Sequence, residues 1–463
     1  MRMSNWSKGG WLFRSFLVCL LAIGLAYLIS FALNKVNGEV KVFNPLGDLF
    51  SKSKGAEEAI GSNADIDLSI PSPDSEDHFD ETSFMSDSIP SPNDSEEISP
   101  LVEEPGDSLS ILVDYTPNCD GITRLREWLE DSGTTPLHIA FFSDSFTEGD
   151  ILVADLRRML QQKYGGKGVG YLPLTSPTAR FRTSIKHRFS GQWKAHTLLE
   201  KGGYTASGQY DHLSGSGEVA FKMRSPVDRV ALLYQSKSVS VLTTTINDTI
   251  VSSHDLSATA DGALALWEER GQNISSLKLS VQSDDIDIHG IYLDGASGVS
   301  VDNMSRRGAS GGELIRLNDA LCSEMSGVRD YRFIILSFGL NALSTEENGD
   351  DYYWYYRKMK KSLEHIKSLY PDAVVLLLSV SDRATIEEGN VTTLKGVYKV
   401  RAIQKKLAKE EGCLYWDTYR VIQELGGVKN LVEKGWMAKD YTHLSGAGGR
   451  QLAKRLYLSL VEE

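Results

Sequence analysis

From residue 109 onward, apolar runs of strand length alternate with stretches of helical period, and this alternation restricts the possible folds more than any other feature. Pro136–Phe142 (PLHIAFF), Tyr331–Phe338, Ala373–Val380 and Leu414–Asp417 are nearly unbroken apolar runs, as strands covered on both faces are. Amphipathic stretches of helix length lie between or after them, at Ile151–Tyr164, Tyr353–Leu369, Val400–Glu411 and Gly446–Leu460. Strands that alternate with helices in this way predict an α/β fold: a parallel sheet with helices on both faces.

Between residues 182 and 285 the alternation stops. Segments rich in Val, Thr and Ser take its place, among them Glu218–Met223, Arg229–Leu242 and Leu277–Gln282. They predict an all-β, sandwich-like insert within an α/β domain whose two parts run 109–181 and 286–463. Trp193, Tyr204, Tyr210 and Trp267 are its candidate sugar-stacking aromatics, although such residues commonly serve as core.

The amino-terminal third reads differently. Ser15–Asn34 is an uncharged, largely apolar run, and a helix of that length, at about 1.5 Å per residue, crosses roughly 30 Å of hydrocarbon. It exceeds the apolar region of a cleaved signal peptide and lacks a small-x-small site behind it, so an uncleaved signal anchor is expected. Arg2, Lys8 and Arg14 precede the span, which predicts a cytoplasmic residue 1–14 segment and an extracytoplasmic carboxy-terminal part, as for a single-pass bacterial inner-membrane protein facing the periplasm or exterior. Residues 35–108 then read as a disordered tether, dominated beyond Ser51 by Ser, Pro, Asp and Glu, with too few large apolar residues to repay the entropy of ordering.

Charge follows this division. The net charge of -13 belongs to one stretch, since Gly55–Thr123 carries 18 acidic residues and no Lys or Arg, leaving 44 acids against 49 bases elsewhere. With no clustered basic stripe and no nucleic-acid motif, a nucleic-acid partner is not expected. The four cysteines, Cys19, Cys119, Cys322 and Cys413, lack the close pairs of a zinc or redox site, so no metal or cofactor is expected; one disulfide among the last three stays open.

The residues that can carry chemistry sit at strand ends. Ser145 follows the run that ends at Phe142, ahead of a predicted helix. Ser145-Phe146-Thr147-Glu148 also fits a capping box, in which the hydroxyl only satisfies helix N–H groups. A serine hydroxyl needs a base to become a nucleophile, usually a histidine oriented by a carboxylate. Of nine histidines only His443 has an aspartate three positions before it, Asp440. Two further segments can supply donors for an oxyanion: Arg307-Gly308-Ala309, a turn after the strand-like Gly298–Val301, and Gly339-Leu340-Asn341, which ends another buried strand.

These pieces, in this order, resemble the SGNH (GDSL-like) hydrolase superfamily, whose blocks contribute Ser, Gly, Asn and His, with the Asp three residues ahead of the His. The likeness spans nearly all of Leu137–Glu463 apart from the insert. It implies a flavodoxin-like three-layer α/β fold, with Ser145 as nucleophile, Gly308, Asn341 and the Ser145 N–H as the oxyanion hole, Asp440 as orienter and His443 as base. Ser143 stands where the family has the glycine of Gly-Asp-Ser, and Ala342 where it has an aspartate. The insert's position, together with Gly165-Gly166-Lys167-Gly168-Val169-Gly170-Tyr171, is similar to that of bacterial peptidoglycan O-acetylesterases. The resemblance therefore implies an acetylesterase acting on an acetylated envelope glycan such as peptidoglycan. Two alternatives remain: O-acetyl transfer by the same triad, which would call for a membrane acyltransferase partner, and a catalytically silent glycan-binding protein.

Overall fold

A computed structural model describes residues 111–260, 262–344 and 351–462. The first α/β unit holds strand β1 (Leu112–Asp114), helix α1 (Gly121–Asp131), β2 (Leu137–Ser143) and α2 (Val153–Tyr164). Six strands follow: β3 (Gly168–Leu172), β4 (Ile185–Thr197), β5 (Gln209–Ser236), β6 (Ser240–Ile246), β7 (Ile250–Leu256) and β8 (Ala265–Asp294). The chain then resumes α/β order with β9 (Val299–Asn303), α3 (Asp319–Ser326), β10 (Tyr331–Ser337), α4 (Tyr353–Leu369) and β11 (Val374–Leu378). A small hairpin, β12 (Ala384–Glu387) and β13 (Asn390–Thr393), leads to α5 (Lys395–Glu410), β14 (Leu414–Trp416), α6 (Thr418–Glu424), α7 (Gly427–Glu433) and α8 (Gly446–Val461).

The central sheet runs β1-β14-β11-β10-β2-β9 and is parallel except for β1, which lies antiparallel at one edge. Without that edge strand the order is second, first, third, fourth, fifth in the chain, the doubly wound flavodoxin-like order. Sites in such sheets form beyond the carboxyl ends of strands where the winding changes direction, here between β2 and β10. Their runs are apolar throughout because both faces are covered: every residue of β11 is buried, and six of seven in each of β2 and β10. The helices gather in two groups, α1, α2 and α6 about α8, and α3 and α5 about α4.

The six intervening strands form an antiparallel sheet, β4-β5-β8-β6-β7, with β3 paired to β8. It reaches past the expected 182–285 on both sides, since β3 starts at Gly168 and β8 ends at Asp294. The expected single segment Arg229–Leu242 is interrupted at residues 237–239, where β5 gives way to β6. The far half of β5 lies between the two ends of β8: Ala231 faces Tyr292 on one side and Glu268 on the other. Alternation along this stretch serves two cores. Val230, Leu232 and Tyr234 join the core of the β module, while Ala231 and Leu233 join that of the α/β fold. That double duty explains the unbroken apolar run Val230–Tyr234; a one-residue register slip would exchange the two faces.

The seam between the two parts depends on the glycine-rich stretch. Gly170 has φ of 69°, and a Cβ there would lie 2.0 Å from Asp302 Oδ1. Only a residue without a side chain lets β3 cross so close to β9. Among the expected stacking aromatics, Tyr204 is fully buried in the α/β core and Tyr210 packs against it, while Trp193 and Trp267 pack on the module's core. Cys119, Cys322 and Cys413 are all free thiols, so the open disulfide does not form. Among the described residues no helix is long and apolar enough to cross a membrane; the expected span at 15–34 and the tether lie outside them.

Candidate active site

Three segments far apart in the chain meet beyond the carboxyl ends of β2 and its neighbours. Ser145 Oγ lies 2.9 Å from His443 Nε2, and His443 Nδ1 lies 2.7 Å from Asp440 Oδ2. Because a carboxylate only accepts, Nδ1 carries the proton and Nε2 is left to accept from the Ser145 hydroxyl. The loop that carries the pair is pinned by its own backbone: Ala438 N–H donates to His443 O at 2.8 Å, and Met437 bridges Leu444. Asp440 Oδ1 accepts from the N–H groups of Thr442 and His443 at 2.9 and 3.0 Å, which aims Oδ2 at the ring. Burial alone would raise the pKa of Asp440, but donation from the His443 ring and from these two N–H groups outweighs it and holds the carboxyl below its ordinary range.

The expected helix directly after Ser145 is not there. A turn and one short 3-10 segment, Glu148–Asp150, intervene before α2 begins at Val153. Gly149, Asp150 and Leu152 all have positive φ in this stretch, which breaks helical continuity. Ser145 is therefore neither a helix cap nor placed on a helix dipole. The local N–H of Phe146 is taken instead by Asp144 Oδ1 at 2.9 Å, so the neighbouring aspartate fixes the turn and the serine hydroxyl stays available to His443.

The two glycine-and-asparagine blocks are tied to this turn. Arg306 N–H donates to Ser143 O at 2.8 Å, and Ala309 N–H closes the next turn on Arg306 O at 3.1 Å. Gly308 sits exposed at its apex with φ of 81°, a conformation that costs a side-chain-bearing residue on the order of 1 kcal/mol. Asn341, exposed in a short 3-10 turn after β10, donates one amide hydrogen to Ala309 O at 2.9 Å, which leaves its second for another acceptor. Hydrogen bonds thus link Ser145, His443 and Asp440, and a second set runs from Asn341 through Ala309 and Arg306 to Ser143, with Gly308 in the turn between Arg306 and Ala309.

Sequence reasoning missed two participants. The β4–β5 connection of the β module reaches this rim: Arg316 Nη1 donates to Leu198 O, Asn318 N–H donates to Tyr204 O at 2.8 Å, and a Cβ at Gly308 would lie 3.9 Å from Cδ1 of the 44% exposed Leu199. No motif marks it. The second is Asp144, only 1% exposed, with Oδ2 lacking a partner among the described residues. Burial dominates its titration, opposed by Phe146 N–H and by nearby His443, and pushes its pKa up to about 7. A carboxyl raised on folding stabilises the native state at low pH and withdraws that stability as pH climbs from about 4 to about 7. Asp144→Asn is thus expected to gain stability relative to the parent over that interval, on the order of 4 kcal/mol, and to hold it above pH 7. Urea midpoints of both proteins at pH 4.5 and 8 test this; parallel shifts would disprove it.

Ser143, which stands at the family's glycine position, is buried with its Oγ unpartnered among the described residues. Removing a buried hydroxyl without a partner relieves a desolvation cost, so Ser143→Ala is expected to raise stability by about 1 kcal/mol. A lower denaturation midpoint for the variant would refute that reading.

No protein-family model and no curated protein matches the sequence. Solved structures do. A peptidoglycan O-acetylesterase aligns over 76% of this chain and 99% of its own at 22% identity, with a TM-score of 0.62. The two share a fold. That alignment is longer than the α/β part alone, so it takes in much of the β module as well. The acetyl xylan esterase AlAXEase (19% identity, 34% of this chain, 80% of its own, TM-score 0.28) and a Clostridium thermocellum family two carbohydrate esterase solved with cellohexaose (12% identity, 58% of this chain, 97% of its own, TM-score 0.25) also match, at scores too low to add to it.

Proposed function

We propose that this SGNH-type protein is a serine esterase that removes O-acetyl groups from a cell-envelope glycan. The observation that carries the reading is the chain Ser145–His443–Asp440, with successive distances of 2.9 and 2.7 Å, beside a turn that presents Gly308 and Asn341. In the reaction, Ser145 Oγ forms a bond to the acetyl carbonyl carbon as its proton passes to His443 Nε2. The negative charge on the carbonyl oxygen is met by the N–H groups of Ser145 and Gly308 and the free amide hydrogen of Asn341. Collapse breaks the bond to the sugar oxygen, which takes the proton from Nε2. Water, deprotonated by the same nitrogen, then attacks the acetyl-serine; the acyl–Oγ bond breaks, Ser145 Oγ takes the proton back from Nε2, and acetate leaves. Asp440 stabilises the imidazolium in both halves without taking its proton.

Two features support an envelope glycan. The likeness to a peptidoglycan O-acetylesterase includes the β module, which sends Leu198–Tyr204 to the rim of the site. The uncharged run 15–34 and the acidic tether suit a catalytic part held outside the inner membrane. To test the reading, the purified full-length chain is given an aryl acetate and, separately, O-acetylated peptidoglycan, with acetate release measured beside Ser145→Ala. Release from both that vanishes in the variant is the expected result; no Ser145-dependent release from any ester would refute esterase activity. Acetyl groups appearing on an added glycan acceptor would show transfer in place of hydrolysis.

A further inference from the structure

Past the carboxyl end of β11, on the same side of the sheet as the ends of β2 and β10, the chain turns through Asp382 and Arg383 into the hairpin β12–β13. The stem of this hairpin is firmly held. Asp382, only 1% exposed, accepts from Thr393 Oγ1 at 2.9 Å and from Gln423 Nε2 of α6 at 2.6 Å, while Arg383 O accepts from Leu394 N–H at 2.9 Å. Two donors of the stem then go to two different parts of the site. The half-buried Arg383 donates from Nη1 to Leu340 O at 3.3 Å, and the N–H of the next residue, Ala384, donates to Tyr441 O at 3.1 Å. Leu340 is the residue before Asn341, and Tyr441 stands between Asp440 and His443.

Both segments gain from support of this kind. Asn341 lies in a three-residue 3-10 turn, a structure whose own hydrogen bonds are poorly aligned. Tyr441 has φ of 55°, a left-handed backbone that a bulky residue keeps only where its neighbours impose it. Its N–H goes to Ala438 O at 3.1 Å and its carbonyl accepts from Ala384, so the hairpin stem supplies one such restraint.

On the basis of the esterase reading, we propose that Arg383 is a positioning residue of the reaction. Its guanidinium ties the Asn341 turn to the hairpin stem, and the stem, through Ala384, holds the loop of Asp440 and His443, so that oxyanion donor and base keep one fixed separation. The negative charge develops on the carbonyl oxygen while His443 takes the serine proton, and a donor that drifts from the triad meets that oxygen out of line. Arg383 acts in this role through Leu340 and Asn341, without touching the reacting atoms.

The test is a double-variant cycle on the full-length chain in detergent, with an aryl acetate as substrate. Arg383→Met keeps much of the side chain's bulk and removes its donors; kcat is expected to fall about tenfold with KM nearly unchanged. Arg383→Lys, which can donate to the same carbonyl, is expected to recover most of that loss. Asn341→Ala is expected to cost about 10²-fold in the parent and only about tenfold in the Arg383→Met background, where the amide it removes is already out of place. An equal cost in both backgrounds would overturn the proposal, as would an Arg383→Met variant with the parent's kcat. Should Arg383→Met fail to fold, Arg383→Gln, too short to reach Leu340 O, takes its place in the cycle.

Hydrogen exchange separates failure of this proposal from failure of the esterase reading. Arg383→Met is expected to speed amide exchange in peptides that hold Leu340–Leu343 and Tyr441–Leu444 and to leave α2 unchanged. A variant that has merely lost global stability would exchange faster in α2 as well and give an additive cycle, which counts against positioning. If the parent shows no Ser145-dependent turnover, the esterase reading fails and exchange alone decides here: unchanged rates in both peptides overturn the role of Arg383.

Discussion

Asp440→Asn is expected to leave a folded protein whose kcat on an aryl acetate is about 10⁴-fold below that of the parent, with KM nearly unchanged. The size follows from the loop geometry. Asp440 Oδ1 is held by two backbone N–H groups, from Thr442 and His443, so a carboxamide at this position keeps its oxygen there and turns its NH₂ toward His443. A donor facing Nδ1 requires that nitrogen to be bare and moves the ring proton to Nε2. Nε2 lies 2.9 Å from Ser145 Oγ and must accept the serine proton; once protonated, it cannot. The loss is one of tautomer, with little change in position. Steady-state kinetics alongside a melting curve checks this, and a variant within tenfold of the parent would show that the carboxylate does not orient the base.

Why the triad was legible while its surroundings were not comes down to range. Asp440 and His443 lie three residues apart because one turn must bring carboxylate and ring together, so their relation is local and visible in the chain. The strands that place Ser145 and Asn341 were visible for a similar reason: a strand covered on both faces needs an apolar run, and β2 and β10 have one. The capping-box reading of Ser145 was also local and it failed, because the three positive-φ residues Gly149, Asp150 and Leu152 delay the helix, and only Gly149 betrays such a backbone by its type. Long-range pairings leave no such trace. Nothing near Arg182 in the chain foretells that it shares a wall with Arg306, and nothing in Leu199 foretells that it borders Gly308. The module's edges were misjudged for the same reason, since β3 reads as a glycine-rich loop until its pairing with β8 is seen.

The largest loss of stability is expected at Arg329, buried where the module's last strand meets the central sheet. Its Nη2 lies 2.5 Å from Asp294 Oδ2 and its Nε 3.1 Å from Asp302 Oδ2, and its guanidinium stacks 4.4 Å from the Tyr292 ring. Asp302 also accepts from Tyr331 Oη at 2.7 Å and from Tyr171 N–H at 2.9 Å, so one carboxylate joins β9, β10 and β3. Arg329→Met fills similar space but leaves Asp302 ionised and buried without its cation, while Asp294 keeps Arg229 at 3.4 Å. Breaking such a pair from one side costs about 3–5 kcal/mol, far more than the pair's net worth. The added change Asp302→Asn removes the stranded charge and is expected to recover part of the loss. Urea midpoints at pH 8 for parent, single and double variants measure both effects. No recovery in the double variant would mean that packing against Tyr292, not charge balance, is what Arg329 supplies at this seam.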